Sequence, residues 1–241
     1  MATIPLILVP GLMCDGIVWE PIFPTLAGHA ICQIADHGDA NSLTLMAQQI
    51  LDTALPRFAL AGHSMGGRVA MEVLRLAPHR VSKLALLDTG YKARADGAAG
   101  DEEARKRHAL LDIARTQGVR TMALQWVQGM VDPPSLSDAA LIKSIVAMFE
   151  RKSADIFAHQ ITALLARPDA TPVLASVRVP TLVLCGRADS WAPLSQHEEM
   201  VALIPGRATL HVVEHAGHMS TMEQPQAVAQ TMLTWLQQTE R

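Results

Sequence analysis

Residues 57–77 read RFALAGHSMGGRVAMEVLRLA. Phe58–Gly62 is a short apolar run that passes directly into Gly62-His63-Ser64-Met65-Gly66-Gly67, and the chain continues as the helical pattern RVAMEVLRLAP. The stretch is a strand, a tight turn at Ser64 and a helix over Met65–Leu76, with G-x-S-x-G at the junction. A serine on such a turn is forced into a strained backbone, for which small residues two positions either side leave room. Its hydroxyl is presented above the sheet, and the helix N-terminus behind it favours developing negative charge.

Outward from this junction the pattern repeats. Apolar, branched runs bounded by Pro, Gly and Asp occur at Ile4–Val9, Ala30–Ala35, Leu84–Leu87, Thr181–Cys185 and Thr209–Val213, which with Phe58–Gly62 makes six expected strands. Most are continuously apolar, as expected of a parallel sheet covered on both faces. Helical patterns at Leu43–Leu55, after an Asn41-Ser42 cap, and at Pro225–Gln238 alternate with them. The expected class is α/β, a doubly wound and mostly or fully parallel sheet flanked by helices.

Between Tyr91 and Pro172 the alternation stops. A polar stretch, ARADGAAGDEEARKRH, leads into helical patterns near Asp101–Gln117, Val119–Met130, Ser137–Arg151 and Ala154–Ala166. Residues 92–172 are therefore expected to form a helical cap on a core made of residues 1–91 and 173–241. Trp126, Met130, Met148 and Phe157 supply its apolar contacts.

Twenty Lys and Arg against 23 Asp and Glu, with no basic block, argue against a nucleic-acid partner. Only 18% of residues are charged and 49% are apolar, which excludes a disordered chain. Three cysteines (Cys14, Cys32 and Cys185) have no metal-type spacing and suggest no disulfide framework. The start lacks a basic leader and no apolar run approaches the roughly 20 residues of a membrane span, so a cytoplasmic, soluble protein is expected.

A serine nucleophile needs a base, itself oriented by a third group. The expected base is His218, which follows Gly217 in the loop after the last strand, with His215 as its rival nearer that strand. The expected acid is Asp189, off the end of Thr181–Cys185, with Asp88 at the end of LALLD as the alternative. His211-Val-Val-Glu214-His215 spells H-x-x-E-H, a zinc pattern when helical. Its β-branched context makes it a strand, which separates the histidines by roughly 13 Å, too far for one zinc ion. No metal or cofactor is expected.

The order Ser64, Asp189, His218, with LVPG at residues 8–11 and GHMSTMEQP at residues 217–225, resembles the α/β-hydrolase superfamily, in particular its small capped esterases, enol-lactonases and carbon–carbon hydrolases. The resemblance covers both ends of the chain and implies an α/β-hydrolase fold with a helical cap insertion. It departs from the family at Pro10-Gly11, where His-Gly is common, and at the short Asp36-His37-Gly38-Asp39 segment. It implies an oxyanion hole from the backbone N–H groups of Leu12 and Met65.

The expected activity is hydrolysis of an ester, lactone or thioester of a small apolar substrate through an acyl-enzyme. A carbon–carbon hydrolase or lyase on the same triad is the alternative, and a non-catalytic ligand-binding member a third. Met13, Trp126, Met130 and Met219 are the expected pocket residues. The partner is a small-molecule substrate, and a homo-oligomer is left open.

Overall fold

The computed structural model describes residues 4–206 and 208–238. Six strands, β1 (Ile4–Val9), β2 (Ala30–Ile34), β3 (Phe58–His63), β4 (Val81–Leu87), β5 (Thr181–Gly186) and β6 (Ala208–Val213), form one sheet in the order β2-β1-β3-β4-β5-β6. Every pair is parallel. β3, β4 and β5 are buried along their whole length, while β2 and β6 at the edges are only partly covered. That gradient explains why the inner strands are mostly apolar whereas β2 carries Gln33 and exposes Ile31.

Helices α1 (Phe23–Ala27), α2 (Leu43–Thr53) and α3 (Met65–Leu76) belong to the first half of the core. Ser42 caps α2 by accepting from the N–H of Leu45. α3 packs on β1, β3 and β4 with α2 beside it. The chain then leaves the sheet for α4 (Ala98–Gln117), α5 (Val119–Trp126), α6 (Ala139–Glu150) and α7 (Ala154–Leu165), with no strand between β4 and β5. α8 (Thr171–Ser176), α9 (Leu194–Leu203), α10 (Ser220–Glu223) and α11 (Pro225–Gln237) complete the fold. α8 contacts α3 and α9, so it rests on the sheet-flanking helices although it straddles the expected cap boundary at residue 172.

Several boundaries differ from those expected. β4 begins at Val81 rather than Leu84, because Ser82 and Lys83 are buried despite their polarity. The expected helix Val119–Met130 ends at Trp126 and tightens into a 3-10 turn over Val127–Gly129. α1, α8 and α9 had not been expected. The first two are only one or two turns long, and α9 has a weakly patterned surface with just His197 and Met200 fully buried.

Polar ties hold the helical segment against the core. Arg151 donates to both carboxylate oxygens of Asp15 at 2.7 and 3.1 Å. The N–H of Asp132 donates to Glu223 Oε2, that of His218 to the carbonyl of Met130, and that of Met13 to Gln160 Oε1.

Candidate active site

Ser64 has φ 56° and ψ −119°, a left-handed conformation for a residue with a side chain, which costs on the order of 1–3 kcal/mol. The surroundings hold it there. Its N–H donates to the carbonyl of Leu87 at 2.9 Å, and its own carbonyl accepts from the Thr89 hydroxyl at 2.6 Å. Close approach dictates the flanking glycines. A Cβ at Gly62 would stand 2.2 Å from the carbonyl oxygen of Gly66, and one at Gly66 would stand 2.1 Å from that of Val9.

His218 lies beyond β6 and Asp189 beyond β5, both at the carboxyl edge of the sheet where Ser64 emerges from β3. The His218 Nδ1–H donates to Asp189 Oδ2 at 2.7 Å, and Nε2 accepts from the Ser64 hydroxyl at 2.7 Å. The other Asp189 oxygen accepts from the backbone N–H groups of Trp191 and Ala192, at 2.9 and 3.0 Å. The carbonyl of His218 accepts from His63 Nε2–H at 2.7 Å. Both backbone groups of His218 are thereby tied down, and its ring has one tautomer.

The electrostatics follow from these contacts. Burial would lower the pKa of His218, but the charge and hydrogen bond of Asp189 outweigh it and the net shift is upward from 6.5. Burial would raise Asp189, yet His218 and the two backbone donors hold it below the usual carboxylate value. His63 is driven down to about 3 by burial and by the charge of His218, so it is a neutral strut. Asp88, the rival acid, does not reach His218. Its oxygens accept from the N–H of Gly186 and from the Ser220 hydroxyl, and burial with repulsion from Asp189 pushes its pKa well up. His215 is exposed at φ 57°. His211 sits within β6, and Glu214 beyond it pairs with Arg187, so the H-x-x-E-H segment is the strand end its sequence indicated.

Leu12 and Met65 stand on either side of Ser64. Met65 opens α3, and a Cβ at the adjoining Gly11 would lie 3.0 Å from that of Ser64. Neither backbone N–H has a hydrogen-bond partner among the described residues. The turn carrying Leu12 is closed by the Cys14 N–H donating to Gly11 O at 3.1 Å. It is latched from α7 by Gln160, whose Oε1 accepts from Met13 N–H at 2.8 Å.

A cavity of about 520 Å³ opens over Ser64 between the sheet edge and the helices of residues 98–165. Of the four expected pocket residues, Trp126, Met130 and Met219 line it. Met13 does not. Its φ of 61° and its bond to Gln160 turn it away, and its side chain is wholly buried outside the cavity. Trp191 and Phe149 were not anticipated as wall residues. Trp191 stacks on Trp126 at 5.5 Å between ring centroids and lies 5.0 Å from the His218 ring. Its position two residues after Asp189 was the available signal. Nor were Arg68 and Arg107 anticipated on the wall, because charged helical residues ordinarily face solvent.

The fold and the serine turn at the end of β3 point to a class of protein, and comparison with known proteins identifies it. The chain matches the alpha/beta hydrolase family over residues 6–231 and belongs to that family. It is similar to a pimeloyl-[acyl-carrier protein] methyl ester esterase from Photobacterium profundum, with 27% identity over 239 residues, 94% of this chain and 92% of the relative. Among solved structures it is similar to a thermophilic esterase from Thermogutta terrifontis, with a TM-score of 0.84, 26% identity, and coverage of 97% of this chain and 89% of that one. An enol-lactonase from Burkholderia xenovorans LB400 shares the fold at TM-score 0.84 and 22% identity, covering 98% of this chain and 93% of its own. The protein is an enzyme of the α/β-hydrolase superfamily, whose relatives here are named esterases and hydrolases. No helix among the described residues is long and apolar enough to cross a membrane.

Proposed function

We propose that the protein is a serine hydrolase that cleaves an ester, lactone or thioester bond of a small molecule with an apolar acyl portion. The observation that carries this reading is the unbroken hydrogen-bond chain Ser64–His218–Asp189, 2.7 Å at each link, beside two backbone N–H groups without partners among the described residues. His218 takes the proton of Ser64 as its oxygen attacks the acyl carbonyl, and Asp189 holds the imidazole and stabilises its cation. The N–H groups of Leu12 and Met65 stabilise the oxyanion. His218 then protonates the leaving group, and water, activated by the same imidazole, releases the acid and restores Ser64. The apolar wall of Trp126, Phe149, Phe157 and Trp191 fits an aliphatic or aromatic acyl group.

The test is Ser64→Ala. It should abolish covalent labelling by a fluorophosphonate and at least 10³-fold of p-nitrophenyl ester turnover while the circular dichroism spectrum is retained. Turnover undiminished in that variant refutes the proposal. A relative from Klebsiella pneumoniae, 27% identical over 213 residues, is named 2-succinyl-6-hydroxy-2,4-cyclohexadiene-1-carboxylate synthase, which motivates carbon–carbon lyase chemistry as the second reading. That reading gains if Ser64 is labelled but no ester in an acetyl-to-decanoyl series, and no lactone or thioester, is hydrolysed.

A further inference from the structure

The far wall of the cavity carries charge that the proposed hydrolysis does not use. Arg68 lies on α3 one turn beyond Ser64, about 6 Å along the helix axis. Its Nη1–H donates to the carbonyl of Lys92 at 2.9 Å, and it has no carboxylate partner among the described residues. A Cβ at Gly90 would stand 2.8 Å from Arg68 Nη2, so the guanidinium approaches the backbone at a position a side chain would crowd.

Arg107 shares this corner of the cavity with Glu102, Glu103 and Lys106. Glu103 on α4 pairs with Arg107 at 2.9 Å and with Arg167 at 2.8 Å, and both its oxygens accept from Arg167. Glu102 turns instead to Arg105 and Lys106. With both glutamates of this corner taken up by other cations, Arg68 faces the cavity without a counter-charge among the described residues. Burial first, then Arg167 and Arg107, lower the pKa of Arg68 to about 9. Its cation is thus held where water does not fully solvate it. A partly desolvated cation without a counter-charge is costly, and a ligand anion removes that cost.

We propose that Arg68, flanked by Arg107, is an anion subsite, and that the substrate is an ester bearing a carboxylate a few methylenes from the scissile bond. This rests on the ester-hydrolase reading above for what happens at Ser64, but not for the binding of the anion. The apolar walls hold the linking chain and the guanidinium receives the acid end. A charge-assisted, forked contact of this kind is worth at least a tenfold preference.

Binding is therefore measured without turnover, on Ser64→Ala. Calorimetric titration with the monomethyl esters of succinic, glutaric and adipic acid should show at least tenfold tighter binding than methyl butyrate, valerate or hexanoate. A second arm, the acetyl esters of glycolate and 4-hydroxybutyrate, places the acid on the alcohol side instead. Ser64→Ala combined with Arg68→Met should bring the anionic and neutral ligands within twofold of each other. Equal affinities in Ser64→Ala itself overturn the proposal whether or not the double variant folds, as does a preference that survives Arg68→Met. Preferential binding of the acids with no turnover by the unmutated protein upholds the subsite and sinks the hydrolase. Turnover of neutral esters with no acid preference does the reverse.

Discussion

The bond from Met13 N–H to Gln160 Oε1 joins the turn carrying Leu12 to a helix almost 150 positions away in sequence, and its removal by Gln160→Met is a sharp test of the oxyanion role proposed for the Leu12 N–H. The substitution preserves length and bulk but leaves a buried N–H without an acceptor, at a cost of about 1–3 kcal/mol. The turn can escape that cost only by moving, and Leu12 moves with it. If the competent turn is disfavoured by this amount, kcat falls about 5- to 150-fold at 1.36 kcal/mol per decade. The ceiling is the loss of one oxyanion donor altogether, about 10²- to 10³-fold. KM should change little, because the N–H acts on charge that exists only in the transition state. The assay is p-nitrophenyl acetate turnover, with kcat expressed per site titrated by a fluorophosphonate so that misfolded protein does not count. A kcat per titrated site within twofold of the parent refutes the reasoning.

Four more outcomes are expected. Asp189→Asn should lower kcat by about 10³- to 10⁴-fold through the wrong histidine tautomer, whereas Asp88→Asn, whose amide still serves Gly186 and Ser220, should cost less than about tenfold; equal losses in steady-state assays contradict the assignment of the acid. His218 must be neutral to accept the Ser64 proton and its pKa is raised, so kcat/KM should fall as pH drops through a midpoint above 6.5; a midpoint below 6.5 contradicts the pairing with Asp189. Gly66→Ala should give insoluble or unfolded protein, since its methyl would lie 2.1 Å from the Val9 carbonyl oxygen, and a folded, active variant on size exclusion disproves the close approach. Trp191→Ala, which removes the ring stacked between Trp126 and His218, should shift the acyl-length optimum toward longer chains, an outcome read from the acetyl-to-decanoyl series.

The inner strands were legible because a strand covered on both faces is apolar at most positions, and β1, β3 and β5 match their expected spans within a residue. Lys83 interrupts that signal in β4, so the expected strand started three residues late. Ser64, His218 and Asp189 were legible for a different reason. Each sits in a local context, a turn beyond a strand end with a glycine close by, that short-range sterics impose regardless of what packs above. The pocket had no such local signature. Met13 carried the right residue type beside the right motif and still faces away, because a bond to a residue on α7 sets its backbone.

What the amino-acid order determined alone is therefore the succession of elements and the placing of Ser64, His218 and Asp189 beyond strand ends, since periodicity and turn chemistry act over a few residues. Tertiary structure alone decided which of two carboxylates faces the imidazole, which side chains of the helical segment reach the cavity, and that Arg68 and Arg107 share its wall with Ser64. Those outcomes depend on distances between segments far apart in the chain, and such distances are set by packing.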